Sequence, residues 1–502
     1  MAARHILAID QGTTGTTVMI VDGEGRVAGS AHAEFPQYYP QPGWVEHDPE
    51  EIWRCVTEVA QAALRNSGVR RTELACIGIT NQRETTVAWE RATGRPVHNA
   101  IVWQDRRTAP MCQRLTDEGA EPLFRDRTGL LLDAYFSGTK IAWLLDNISG
   151  LRRRAEIGEI AVGTIDSWLV YKLTGGRKHL TDATNASRTL LMDLAGTQWD
   201  DELCRRLGVP REVLPEIRPS AHVYGESDPN AFLDVSLPIA GILGDQQSSL
   251  FAQACFEPGQ AKNTYGTGSF VLQHTGTQPH AGQDRLIATV AAQYEGEPTE
   301  YALEGSIFVT GAAVQWLRDE LGIIREAAET ESLASSLDSN DDVWFVPALV
   351  GLGAPLWDPS ARGTVLGLTR GTSRAHLARA ALESIAYQTR DVVDEMEKES
   401  SQRLTELRVD GGASVNNWLM QFQADILGVP VDIPEVIETT SLGSAYLAGL
   451  VTDVFADRRE LQSKRRTQRR FTPRMDEAHR NSLYSRWKEA RSRAEKWARA
   501  EG

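Results

Sequence analysis

The sequence predicts an α/β protein built of two related halves. Three observations carry this. Short apolar runs of strand length alternate with stretches whose apolar residues recur at helical spacing. A pattern of strand, small-residue turn and strand opens the chain and restarts after Pro258 and Gly259. The length of 502 residues exceeds one compact core and leaves room for about three domains at ~150 residues each.

The elements follow in order. Residues 6–9 form an apolar run ending in Asp10, and residues 18–21 form a second. Asp22 and Gly23 signal a tight turn, after which residues 26–35 return as a third strand. Between the first two strands lie Gln11, Gly12, Thr13, Thr14, Gly15, Thr16 and Thr17, a turn of small residues and hydroxyls. A helix is expected next: Asp48 suits the N-cap, Pro49 the first turn, and Glu50 and Glu51 the positive end of the dipole. Ile52, Val56, Val59, Ala63 and Leu64 keep helical spacing, and Gly68 ends it. Residues 76–80 read as a buried strand running into Asn81, Gln82, Arg83 and Glu84; residues 87–89 and 100–103 read as further strands. Residues 238–244 form a buried strand opening onto Asp245, Gln246 and Gln247, with a helix expected over 248–255. The restart follows: strand 261–264, turn 265–269, strand 270–273. Residues 404–409 read as a strand ending in Asp410, Gly411 and Gly412, followed by a helix through Trp418, Leu419, Phe422 and Ile426. Residues 441–450 form a helix rich in Gly and Ala, suited to close packing. The tail from Arg458 is mostly charged and is expected to be helical and surface-lying.

The formal net charge is −15, with an isoelectric point near 5.3. That argues against DNA, RNA or anionic lipid as the main partner. The charge is uneven: residues 451–502 hold 15 basic and 8 acidic residues, and residues 1–450 hold 38 and 60. The five cysteines are scattered and never spaced as CxxC, as in a reduced, cytoplasmic protein. No stretch approaches the ~18 apolar residues of a membrane span, so no membrane insertion is expected.

Three glycine-rich turns each follow a strand, at residues 10–17, 265–269 and 410–416. Such turns let backbone N–H groups approach phosphate oxygens, because glycine removes the Cβ obstruction. No GxxxxGK[ST] string occurs, no GxGxxG opens a βαβ unit, and the HRD and DFG elements of protein kinases are absent. Asp10 beside a phosphate cradle reads as a Mg²⁺ contact, directly or through water, or as a residue capping the turn. Asp245 at a strand end reads as a proton acceptor for an attacking hydroxyl, or as an N-cap for the helix at Ser248. Arg83 and Glu84 offer the donor and acceptor that adjacent polyol hydroxyls need, or form a surface ion pair.

Eleven strings carry a resemblance. They are DQGTTGT (10–16), GITNQRET (78–85), IVWQDRRT (101–108), YFSGTKIAWLL (135–145), TNASRT (184–189), GDQQ (244–247), AKNTYGTG (261–268), YALEGS (301–306), GLGAPLWDP (351–359), ESIAYQTRDV (383–392) and RVDGGASVNNWLMQFQADILG (408–428). Together they make residues 5–450 resemble the FGGY carbohydrate kinases, in their glycerol-phosphorylating branch. The resemblance implies two actin/hexokinase-like (ribonuclease H-like) domains flanking a deep cleft. The implied boundaries are 1–253 for a polyol-binding domain, 254–455 for a nucleotide-binding domain, and 456–502 for a basic helical extension. It implies ATP-dependent phosphorylation of glycerol with Mg²⁺, and a homodimer or homotetramer without nucleic acid. Matched string by string, glycerol would meet Arg83, Glu84, Trp103, Tyr135, Asp245, Gln246 and Phe270, with Asp245 as general base. ATP phosphates would lie on Thr13, Thr14, Gly15, Thr267 and Gly268. Gly311, Gln315, Gly412 and Asn416 would contact the nucleotide, and Asp10 the metal. The sequence departs at Thr17, where these enzymes often carry an arginine near the phosphates; charge stabilisation would then lean more on Mg²⁺ and backbone donors. Segment 225–238 lacks the glycine- and arginine-containing effector loop of some relatives and the phosphorylatable histidine of others, so neither control is expected. Competing readings are a kinase of ketoses or sugar acids, a non-catalytic actin-like scaffold, and a nucleic-acid role for the tail. The compact aromatic set with Arg83 and Glu84 speaks for three carbons, and the presence of both Asp10 and Asp245 for catalysis.

Overall fold

The computed structural model describes residues 4–280 and 285–498; the outermost residues of the expected first domain and tail lie outside these. His5–Gln11 (β1) and Gly15–Val21 (β2) form a hairpin, and Val27–Glu34 (β3) pairs antiparallel with β2. The β2–β3 turn is wider than Asp22 and Gly23 alone. Asp22 N–H donates to Arg26 O at 2.9 Å, and the residue at positive φ is Gly25, at 75°.

Pro49–Ser67 (α1) starts and stops where its sequence signals place it. The Asp48 side chain accepts from Glu50 N–H at 2.8 Å, and Gly68 closes the helix in the left-handed region at φ 68°. Leu74–Asn81 (β4) lies parallel to β1. Short strands Glu46–His47, Thr86–Glu90, Ala100–Ile101 and Ile160–Thr164 make a four-stranded sheet beside this core, and Ser137–Asn147 (α2) packs near it. Val223–Glu226 (β5) and Pro238–Gly244 (β6) complete a six-stranded sheet in the order β5-β6-β4-β1-β2-β3. The following helix, Asp245–Ala252 (α3), begins three residues earlier than expected. Gly244 is its cap and Asp245 its first residue, so Asp245 does not cap a helix at Ser248.

The second half restarts with Ala261–Tyr265 (β7) and Ser269–Gly276 (β8), a hairpin like the first. Ile287–Ala292 (β9) and Glu300–Ile307 (β10) extend it, and Gly311–Asp319 (α4) and Arg374–Ser400 (α5) follow. Leu407–Asp410 (β11) lies parallel to β7, Asn417–Leu427 (α6) leads on, and Val431–Pro434 (β12) lies parallel to β11. Thr439–Val451 (α7) precedes Thr467–Phe471 (β13) and Glu477–Ser492 (α8). The sheet order is β9-β10-β8-β7-β11-β12-β13. From β3 to β5 and from β10 to β13 the pairings run alike: two antiparallel, two parallel, one antiparallel. The duplication read from the restarting pattern is thus a repeat of topology, with β9 added outside it.

The tail is helical over Arg458–Lys464 and Glu477–Ser492, as expected, but it also supplies a strand and buries a tryptophan. β13 is the edge strand of the second sheet, in the place β5 holds in the first. Its side chains are mostly exposed, so it carries no apolar signature. Backbone pairing with β12 holds it, together with ion pairs from Arg465 and Arg470 to the buried Asp432. In α8 the Trp487 ring is wholly buried, stacks on Tyr387 at 5.3 Å and donates from Nε1 to Asp391 at 2.9 Å. All five cysteines are buried and free. Among the described residues no helix is long and apolar enough to cross a membrane.

The first sheet is covered on both faces. Leu7, Ile9, Val18, Ile20, Ile77 and Ile79 pack under α1. Ile6, Ala8, Met19 and Val21 pack under α7, a helix from the far end of the sequence, through Leu442, Ala445, Tyr446 and Ala448. The Gly and Ala content of α7 has a steric reason. A Cβ on Gly443 would stand 1.9 Å from Ser248 O, a backbone atom of α3 that cannot turn away. Gly443→Val is therefore expected to lose about 1–3 kcal/mol or more of stability by forced separation of α7 from α3. Thermal unfolding against the parent checks this, and an unchanged midpoint would contradict the packing.

Candidate active site

The predicted site residues sit at strand ends and turns, where side chains escape the sheet. Asp10 ends β1 and stands in register with Thr17 on β2 and Thr80 on β4. Even-numbered β1 residues face α7, and Asp10 accordingly accepts from Ser441 Oγ of that helix at 2.9 Å. Burial pushes its carboxyl up to about 7, against the Ser441 hydrogen bond and with a smaller push from the charge of Asp245. Among the described residues it has no cationic partner. Buried without one, its charge is costly, and a hard cation beside it would relieve that cost. No group of three or more His, Cys, Asp or Glu among the described residues could hold a metal. The donors thus fit a Mg²⁺ that arrives with phosphate and water ligands, with Asp10 as its protein contact.

Arg83 and Glu84 are not a surface pair. They belong to a buried chain of alternating charge joining both halves. Arg83 Nε lies 2.8 Å from Asp245 Oδ1, and its Nη1 and Nη2 reach Glu304 at 2.5 and 3.2 Å. Arg188 continues the chain, from Nη2 to Glu304 at 3.0 Å and from Nε to Glu84 at 2.8 Å. Arg83, Glu84, Arg188 and Glu304 are each at most 2% exposed, whereas the Asp245 side chain is 28% exposed and open to a ligand. The two buried glutamates respond oppositely. Burial opposes charge on both, but Arg188 and Arg83 outweigh it at Glu304 and hold it down to about 2. At Glu84 burial wins over the same two cations, and the carboxyl is raised. Glu84 also holds a positive φ of 61°, a backbone strain of the kind that collects at functional sites.

Trp103 and Tyr135 form an aromatic wall, edge to face with centroids 5.5 Å apart. Trp103 Nε1 donates to Thr13 Oγ1 at 2.9 Å, tying the wall to the first glycine-rich turn. Tyr135 lies under the Arg188 guanidinium at 5.6 Å, which places the wall against the charge chain. Its loop is held by Lys140 of α2, whose buried ammonium donates to the carbonyls of Ala134, Tyr135 and Phe136. Phe270 lies on β8 in register with Ser306, packed at the edge of a small cluster with Leu250 and Leu272.

The residues expected to meet the nucleotide are placed less uniformly. Thr14, Thr267 and Gly412 are exposed on their turns. A Cβ on Gly412 would meet nothing within 4 Å, so open space lies in front of it. Gly15 and Gly268 are required by packing as well: a Cβ on Gly268 would stand 2.3 Å from Ile307 O. Gly311 opens α4 and donates from its N–H to Gly266 O at 3.0 Å, which joins α4 to the second turn. Gln315, one turn on, is exposed. The Asn416 side chain caps α6, accepting from Leu419 N–H at 2.9 Å, and donates to Thr330 Oγ1 at 3.2 Å. Only part of its amide is left for a ligand. Thr17 Oγ1 lies 3.0 Å from Nδ1 of His32, its register partner on β3.

Sequence reasoning assigned no role to Arg188, Glu304, Lys262 or Lys140. All four are wholly buried charges. Each lies inside a string quoted for the resemblance. The signal for Glu304 was a carboxylate in the interior of a largely apolar strand, which demands a partner; Lys262, in the mixed stretch Ala261–Tyr265, gave no such signal.

Comparison with known proteins fits this geometry. Residues 5–252 match the N-terminal domain of the FGGY family of carbohydrate kinases, and residues 261–451 match its C-terminal domain. "Glycerol kinase 2" of Thermotoga maritima is 56% identical over 98% of this chain and 99% of that protein. A glycerol kinase of Deinococcus radiodurans is 57% identical over 98% of both. Among solved structures, Plasmodium falciparum glycerol kinase with ADP superposes with a TM-score of 0.93 at 36% identity, covering 98% of both chains. A gluconate kinase from Lactobacillus acidophilus shares the fold at a TM-score of 0.88 and 22% identity, covering 97% of this chain and 98% of that one. With its two α/β domains and both family matches, the chain belongs to the FGGY family of carbohydrate kinases.

Proposed function

We propose that the chain transfers the γ-phosphoryl group of ATP to a primary hydroxyl of glycerol, giving sn-glycerol 3-phosphate and ADP. The observation that carries this reading is the chain of alternating charge from Asp245 through Arg83, Glu304 and Arg188 to Glu84, lying against the Trp103–Tyr135 wall. It offers donors and acceptors close together beside an apolar surface, as a short polyol requires. The names of the full-length relatives agree with it.

In this reading Asp245 takes the proton of the attacking hydroxyl as its oxygen forms the new bond to the γ-phosphorus. The bond from phosphorus to the bridging oxygen of ADP breaks in line with that attack. Arg83, 2.8 Å from the Asp245 carboxylate, keeps it aimed for that task. The glycine-rich turns carrying Thr13, Thr14, Thr267 and Gly268 hold the phosphates. Asp10 would contact the Mg²⁺ that offsets their charge. Alignment and charge stabilisation supply most of what such a transfer needs from a protein.

A coupled ADP-release assay with glycerol, dihydroxyacetone, xylulose, ribulose and gluconate tests the reading. Glycerol is expected to give the highest kcat/KM, and a higher value for a ketose or for gluconate would overturn it.

A further inference from the structure

Lys262 of β7 is wholly buried and belongs to the second half of the chain. Its Nζ lies 2.5 Å from Gln246 Oε1 and 2.8 Å from Thr264 Oγ1. Among the described residues it is in ion-pair contact with no carboxylate; Asp410, Glu304 and Asp245 act on it from farther away. Burial draws its pKa down to about 8, as expected of an ammonium held mainly by neutral dipoles.

An ammonium has three donors and no acceptor. The Gln246 amide can therefore meet Lys262 only through its oxygen, whatever orientation it would take alone. Its Nε2 has no protein partner among the described residues. Gln246 is also the neighbour of Asp245 on the first turn of α3. Arg83 only donates, and the Asp245 carboxylate oxygens serve as acceptors. Gln246 could do either, and Lys262 removes the choice. We propose that Lys262 is a positioning residue that fixes Gln246 as a hydrogen-bond donor, through Nε2, to one of the two polyol hydroxyls that are not phosphorylated. This rests on the glycerol reading above and deepens it. It gives the pocket a set polarity, and it makes that polarity depend on a residue across the expected domain boundary.

Steady-state kinetics of Lys262→Met with glycerol, 1,2-propanediol, 1,3-propanediol and ATP test it. The two diols each lack one hydroxyl of glycerol. The variant is expected to raise KM for glycerol about tenfold, the effect of one lost hydrogen bond, and to leave KM for ATP unchanged. For the diol that lacks the contacted hydroxyl, parent and variant should perform alike. An equal loss with all three acceptors, a parallel loss for ATP, or no loss at all would overturn the proposal. Gln246→Glu covers the case in which Lys262→Met does not fold, because it keeps a partner for Lys262 while replacing the donor by an acceptor. It should show the same diol pattern, and parent-like KM for glycerol would overturn the proposal. A parent enzyme inactive on glycerol would instead fell the glycerol reading itself, a result read before any variant is made.

Discussion

Asp245→Asn is expected to lower turnover by about 10²- to 10⁴-fold, the usual contribution of a positioned base. That is about 3–5 kcal/mol of transition-state stabilisation. The substitution preserves shape and changes two things: the carboxamide cannot take the proton, and it presents no charge to Arg83 Nε at 2.8 Å. Arg83 keeps Glu304 as its buried counter-ion, so the fold should survive. ATP binding, read by calorimetry, should be retained, because the phosphate turns are separate from Asp245. Near-parental kcat would remove Asp245 from the role of base.

Arg188→Met is expected to have the largest effect on stability, a loss of about 3–5 kcal/mol measured by urea unfolding. Among the described residues Arg188 is the sole direct cationic partner of Glu84 and one of two for Glu304, and both carboxylates are wholly enclosed. Removing one partner of a buried pair leaves a charge that water cannot reach. Methionine fills much of the volume, so the loss would measure the charges and not a cavity. Activity should fall as well, since Glu84 and the Tyr135 ring both lean on the guanidinium. A change below about 1 kcal/mol, the range of an exposed ion pair, would contradict the buried network.

These expectations show where the sequence was legible. α1 was readable to its caps, because Asp48, Pro49 and Gly68 act through local backbone geometry. The strand–turn–strand restart was readable because its signal is also local. The polar site was readable only as a set of positions. Arg83 and Glu84 alone look like any adjacent charged pair; what makes them a site is Glu304, more than two hundred residues away, and Arg188, about a hundred. No short-range pattern encodes such a meeting. The start of α3 was misjudged for a related reason: Gly244 serves as its cap through backbone conformation, without the side chain that usually announces one. The strand at Thr467–Phe471 was missed because an edge strand held by backbone pairing and ion pairs needs no apolar face. The net charge of the tail suggested a surface-lying extension, whereas Arg465 and Arg470 serve the buried Asp432 of the strand beside it.

The helix Thr439–Val451 bears on how the chain is made. It covers the face of the first sheet formed by Ile6, Ala8, Met19 and Val21. On the ribosome those residues emerge more than four hundred positions before their cover. The first half can build its strands and dock α1 early, but one side of its sheet stays uncovered until α7 has been made. Such long-range closure is slow, and exposed apolar surface favours aggregation during the delay. The two halves therefore do not mature one after the other; a helix that follows the second sheet's parallel strands in sequence finishes the first.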